Sequence, residues 1–126
     1  MDDRVQAVIA YMRSNLHREL SLSQVARKVN LSPSRLSKLF HVEMDTSPMH
    51  YLHHVRMEEA RLLVETTFLS PKQIMVRVGI NDESHFVRDF KRDYGLPPVQ
   101  YRLRFRNNSI GEEEHYLSHA VIFANG

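Results

Sequence analysis

Val5, Val8, Ile9, Met12 and Leu16 recur at intervals of three and four residues. That is the spacing of one face of an α-helix, and it predicts an amphipathic helix from about Asp3 to Leu16. Leu22, Val25, Ala26 and Val29 form a shorter apolar set behind Ser21, whose hydroxyl suits an N-cap. Asn30 and Leu31 make a tight turn. Ser32 and Pro33 then open another helix, because proline costs nothing at a first helical position where no N–H is needed; Leu36, Leu39 and Phe40 form its inner face. Ser47 and Pro48 open a longer helix that runs to about Thr66, with Met49, Leu52, Val55, Ala60 and Leu63 as its apolar stripe. At a rise of 1.5 Å per residue it spans about 28 Å.

The same pattern then returns. Ser70 and Pro71 open a short helix with Ile74, Met75 and Val78 inside; Gly79 and Ile80 turn the chain; Asp82 caps a helix bearing Phe86 and Phe90. Leu20, Ser21, Val25 and Val29 match Leu69, Ser70, Ile74 and Val78 forty-nine residues later. Leu36, Phe40, Pro48 and Tyr51 match Phe86, Phe90, Pro98 and Tyr101 fifty residues later, so the second turn holds one extra residue. Helix, short turn and capped helix make a helix-turn-helix, and the chain contains two of them. The expected fold is therefore all-α: two helix-turn-helix subdomains, about 3–46 and about 70–106, joined by a long linker helix at about 48–66, in about seven helices.

Composition narrows the chemistry. The chain has 126 residues and no cysteine, enough for one ordinary core and without material for disulfides, thiolate zinc sites or cysteine nucleophiles. No apolar run approaches the roughly 20 residues of a membrane span. With no leader pattern either, the cytoplasm is the expected location. A formal charge of +2 says little until it is divided. Residues 107–126 carry three acids, Glu112 to Glu114, and no Lys or Arg, which leaves 17 cations against 12 acids, a net +5, on residues 1–106. Asn107, Asn108, Ser109 and Gly111 read as a turn leading into an acidic tail, with a short helix from Glu112 to His119.

In a helix-turn-helix the second helix offers outward polar residues to base edges in the major groove. With Leu36, Leu39 and Phe40 inward, Ser34, Arg35, Ser37, Lys38 and His41 are the outward candidates on the first reader helix. On the second they are Glu83, Ser84, Val87, Arg88 and Lys91. Lys38 and Arg88 suit guanine, Val87 a thymine methyl and Glu83 a cytosine amino group. A helical protein-interaction module without DNA binding is the alternative, but its reader faces would be acidic or apolar, and these keep Arg35, Lys38, Arg88 and Lys91. His50, His53 and His54, and also His115 and His119, have helical spacing that could ligate zinc; no His-Glu-x-x-His motif accompanies them, and surface or groove-facing histidines are the expected reading. There is no glycine-rich phosphate loop, no Gly-x-Ser-x-Gly and no marked acid–base pair, so neither an enzyme nor a cofactor is expected.

At these residues the chain resembles the DNA-binding domain of AraC/XylS-type bacterial transcription regulators. The matching stretches in the first half are Leu-Ser-Gln-Val-Ala at 22–26 and Leu-Ser-Pro-Ser-Arg-Leu-Ser-Lys-Leu-Phe at 31–40, with Arg56, Ala60, Leu62 and Leu63 on the linker. In the second half they are Val78-Gly79, Phe86, Arg88, Phe90-Lys91-Arg92, Gly95, Pro97-Pro98 and Tyr101-Arg102. The resemblance runs from about Arg4 to Arg104. It implies two reader helices entering adjacent major grooves of promoter DNA, recruitment of RNA polymerase, most simply as an activator, and a separate sensing or dimerising domain that this chain does not supply. It places base-facing roles on Ser34, Ser37 and Lys38 and on Glu83, Ser84, Val87 and Arg88. Met75 stands where the family usually has Ala, and Ile80 where it usually has Phe; a larger Met beside a smaller Ile reads either as a volume-conserving repack of the same core or as a second subdomain docked at a slightly altered angle.

Overall fold

Ser21, Ser32, Ser47, Ser70 and Asp82 each stand one residue before a helix, and each side chain accepts the backbone N–H three residues on. These caps satisfy amides that the helix itself leaves unpaired. The computed structural model describes residues 1–109, and these form helices α1 (Asp3–Ser14), α2 (Leu22–Lys28), α3 (Pro33–Met44), α4 (Pro48–Thr66), α5 (Pro71–Val78) and α6 (Glu83–Tyr94), with a seventh, α7, over 98–109. The expected all-α architecture with two helix-turn-helix units around one linker is what the described residues adopt. Among the described residues no helix is long and apolar enough to cross a membrane.

The repeat is visible in the hydrogen bonds. Gln24 and Gln73 each return a side-chain oxygen to the N–H of their capping serine at 2.9 Å, completing two capping boxes forty-nine residues apart. Asn30 and Gly79 hold the two turns in the left-handed region, at φ +57° and +76°. Asp45 and Gly95 end α3 and α6 in the same region. Phe40 meets Tyr51 edge to face at 5.6 Å, and Phe90 meets Tyr101 in the same way at 5.3 Å.

The length suggested a single core, but two small ones result, one per unit, because each helix-turn-helix buries its own apolar faces. Val5, Val8, Met12, Leu20, Val25, Ala26, Leu36, Phe40 and Leu52 form the first; Met57, Ala60, Val64, Ile74, Met75, Val78, Phe86 and Phe90 form the second. Helix α4 contributes to both from different sides: at about 100° per residue, Leu52 and Met57 lie about 140° apart around its axis. A single stripe was expected, which placed Leu63 inside and passed over Met57 and Val64; Leu63 is half-buried, whereas Met57 and Val64 are sealed. Met75 and Ile80 both pack into the second core.

Two expectations about helix ends need correction. Helix α1 stops at Ser14 because Asn15 turns its amide to Met12 O and its side chain to Tyr11 O, which leaves Leu16 in the loop. Asn107, Asn108 and Ser109 are helical rather than a turn. The preceding turns of α7 are anchored, Arg102 to Val64 O and Arg106 to Thr67 O, and Ser109 Oγ donates back to Phe105 O, so the helix continues past the polar residues. Gly111 and the short helix expected at Glu112 to His119 lie outside the described residues.

Candidate nucleic-acid interface

Each reader helix is held by its own buried aromatic, Phe40 on α3 and Phe86 with Phe90 on α6, all fully sealed. Because these occupy one side, the opposite side of each helix is turned outward. Ser34, Arg35, Lys38 and His41 on α3 are exposed, as are Glu83, Ser84, Arg88 and Lys91 on α6. Ser37 and Val87 occupy the same place in the two repeats and both are half-buried at the margin of the outward face. All ten residues expected on the readers thus lie on or beside the outward faces. Val42 was not among them, yet it is 81% exposed one turn beyond Lys38, where Ser37, Lys38, His41, Val42 and Ser47 line an open groove of about 470 Å³.

The electrostatics of the two readers differ. On α3 the cations Arg35 and Lys38 belong to no ion pair with a carboxylate among the described residues, while His41 approaches Asp45 at 4.0 Å. On α6, Glu83 faces Lys72 across the turn at 3.9 Å, an exposed pair of little energetic weight. Asp82 accepts the amide of His85, and that hydrogen bond holds its carboxyl below the ordinary aspartate value. The stabilisation from this cap is present above the unfolded aspartate value and is lost as pH falls through the lowered folded one. Arg88 Nε lies 3.5 Å from the carboxylate of Asp89, and Arg92 adds a hydrogen bond to the same group at 3.2 Å.

What fixes one reader relative to the other is a junction that periodicity does not reveal. Arg56, from the middle of α4, donates to Leu16 O at 3.2 Å and to Arg18 O at 2.7 Å in the loop after α1. Burial lowers the pKa of its guanidinium, although arginine stays charged in proteins. The turn of the second unit meets the same loop: a Cβ on Gly79 would lie 2.0 Å from Leu16 O. The second half repeats the grip, with Arg106, fifty residues after Arg56, donating to Thr67 O at 2.7 Å. The repeat of arginine at that offset was the available sequence signal.

Of the histidines expected on the surface or facing a groove, His54 pairs with Glu58 at 2.6 Å and His53 with Asp89 at 3.1 Å. Together with His50 they border a cleft of about 310 Å³ beside Arg92, Asp93 and Tyr94. His115 and His119 lie outside the described residues.

Two capped helix-turn-helix units sharing one linker, each presenting an outward polar reader helix, define a bipartite helix-turn-helix protein. Residues 25–104 match the family model described as a helix-turn-helix domain. The arabinose operon regulatory protein of Escherichia coli (strain K12) is 34% identical over 103 residues, covering 81% of this chain and 35% of that protein. The chain thus spans about a third of the length of the curated relatives it matches. The C-terminal domain of AraT, a response regulator from Geobacillus stearothermophilus, superposes with a TM-score of 0.76 at 33% identity, over 82% of this chain and 86% of that one. The DNA-binding domain of AdpA, solved in complex with a target DNA, gives 0.80 at 23% identity over 85% and 96%, a likeness of fold. The chain belongs to the AraC-type family of helix-turn-helix DNA-binding transcriptional regulators, a class of regulatory domains and not of enzymes.

Proposed function

We propose that residues 1–106 act as one DNA-binding unit that inserts α3 and α6 into successive major grooves of a promoter, in the cytoplasm, and helps recruit RNA polymerase as an activator. The observation that carries this reading is the duplicated presentation: matched caps, matched aromatic anchors and two outward polar faces, joined by the Arg56–Leu16–Gly79 junction. Ser34, Ser37 and Lys38 on α3, and Glu83, Ser84, Val87 and Arg88 on α6, are assigned to base edges; Arg35, at the margin of its face, and the exposed His41 and Lys91 are assigned to the DNA contact as well. Val42 adds an apolar spot that suits a thymine methyl. The greater length of the relatives supports a further sensing or dimerising domain acting with this unit.

Selection of bound sequences from a random duplex pool at two salt concentrations tests the reading. The expected result is a long motif with two half-sites about ten base pairs apart; salt-dependent binding with no enriched motif would remove it. Within the selected site, Lys38→Ala is expected to cost about 1 to 3 kcal/mol and to relax base choice at one position of one half-site. Equal weakening on specific and random duplexes would make Lys38 a phosphate contact instead.

A further inference from the structure

Asp89 is the buried polar side chain among the described residues, 7% exposed, and it lies on the second reader helix directly after Arg88. Fifty residues earlier the matching position is Leu39, which packs against the first core. An apolar residue therefore serves at this place in the fold, and a carboxylate is costly there unless it is paired. Three basic side chains face it. His53 Nε2, from the linker α4, lies 3.1 Å from one carboxylate oxygen; Arg92 Nη1 donates to the other at 3.2 Å, and Arg88 Nε lies 3.5 Å from that same oxygen.

A buried ion pair is weak grounds for stability, since apolar replacements of similar volume are often neutral or stabilising. It does supply direction. We infer that Asp89 is a positioning residue for base recognition: with His53 it fixes the rotation of α6 against the linker, and as an ion partner beside Nε it biases the exposed Arg88 side chain toward leaving its two terminal guanidinium nitrogens to the base edge. This rests on the reading of Arg88 as a base contact. Guanidinium recognition of guanine depends on a planar fork at a fixed angle. A supporting carboxylate that removes the side chain's rotational freedom before binding improves discrimination more than it improves total affinity. Lys38, at the Arg88 position of the first half, has Leu39 beside it and lacks such a support, so the second half-site is the one whose base choice depends on a neighbour buried beneath the reader.

The test uses the whole chain, the selected duplex, and duplexes changed at single positions of either half-site. Asp89→Leu installs the residue found in the first half. It is expected to keep or raise the melting temperature, to lose about tenfold in discrimination at the position read by Arg88, and to leave discrimination in the first half-site unchanged. Asp89→Asn, closer in shape, is expected to lose discrimination at the same position and serves if the leucine variant does not fold. Wild-type discrimination in the folded Asp89 variants would overturn the inference, and so would an equal loss on every duplex, random sequence included. Arg88→Ala measured in parallel separates the failures. If it too leaves discrimination intact, the reading of Arg88 falls and the inference with it. If it abolishes discrimination while the Asp89 variants keep it, the reading stands and the inference alone is wrong.

Discussion

Phe90→Ala is expected to lower the unfolding free energy by about 3 to 5 kcal/mol, near the top of the range for a core aromatic truncated to alanine. Its ring is fully buried and meets three others edge to face: Phe86 at 5.9 Å, Tyr94 at 4.8 Å and Tyr101 at 5.3 Å. Such aromatic pairs add about 0.5 to 1.5 kcal/mol each beyond the area they bury. Phe40, its counterpart in the first half, has one aromatic partner among the described residues, Tyr51 at 5.6 Å, so Phe40→Ala is expected to cost less. Domains of this kind hold about 5 to 15 kcal/mol in all, and the Phe90 variant should be measurably unfolded in mild denaturant. Urea melts followed by circular dichroism decide the matter, and an unchanged midpoint for Phe90→Ala would mean that the inner face of α6 is wrongly assigned.

Gly79→Ala is the second large effect. The residue has φ +76°, where alanine pays about 1 to 2 kcal/mol. The new methyl would also lie 2.0 Å from Leu16 O and 3.1 Å from both Leu16 C and an Arg56 nitrogen. Leu16 O is backbone and is held by Arg56, so neither group can withdraw without undoing the junction between the units. We expect a loss of about 3 kcal/mol or more. Gly95→Ala is the control: its φ is +91°, but nothing lies within 4 Å of its added Cβ, so the conformational cost stands alone. Equal losses for the two variants in thermal melts would show that the Leu16 contact is not what requires glycine at 79.

These two residues also mark how far the sequence can be read. The starts of α2 to α6 were legible because a serine or aspartate cap, often with a proline behind it, is a local signal, and the repeat confirmed each one. The outward residues of both readers followed from the inward aromatics. Tertiary relations were not legible. Met57 and Val64 were missed because one helix serving two cores has no single apolar face. Asp89 was missed because a charge on an amphipathic helix reads as solvated until a histidine from another helix is seen to pair with it. Gly79 was recognised as a turn residue from its type, but its contact with a carbonyl sixty-three positions earlier has no sequence signature.

The shared linker also bears on how the domain could be divided. Helix α4 completes the first core through Leu52 and begins the second through Met57, Ala60 and Val64. A cut after α4 would leave those three apolar residues uncovered, and a cut before it would open the first core at Leu52. Neither half can therefore be lifted out as a self-sufficient folded unit without redesign of one side of the linker. A change in the length of the recognised DNA site would have to be accommodated within α4 itself, where each inserted residue turns the two cores by about 100° relative to one another.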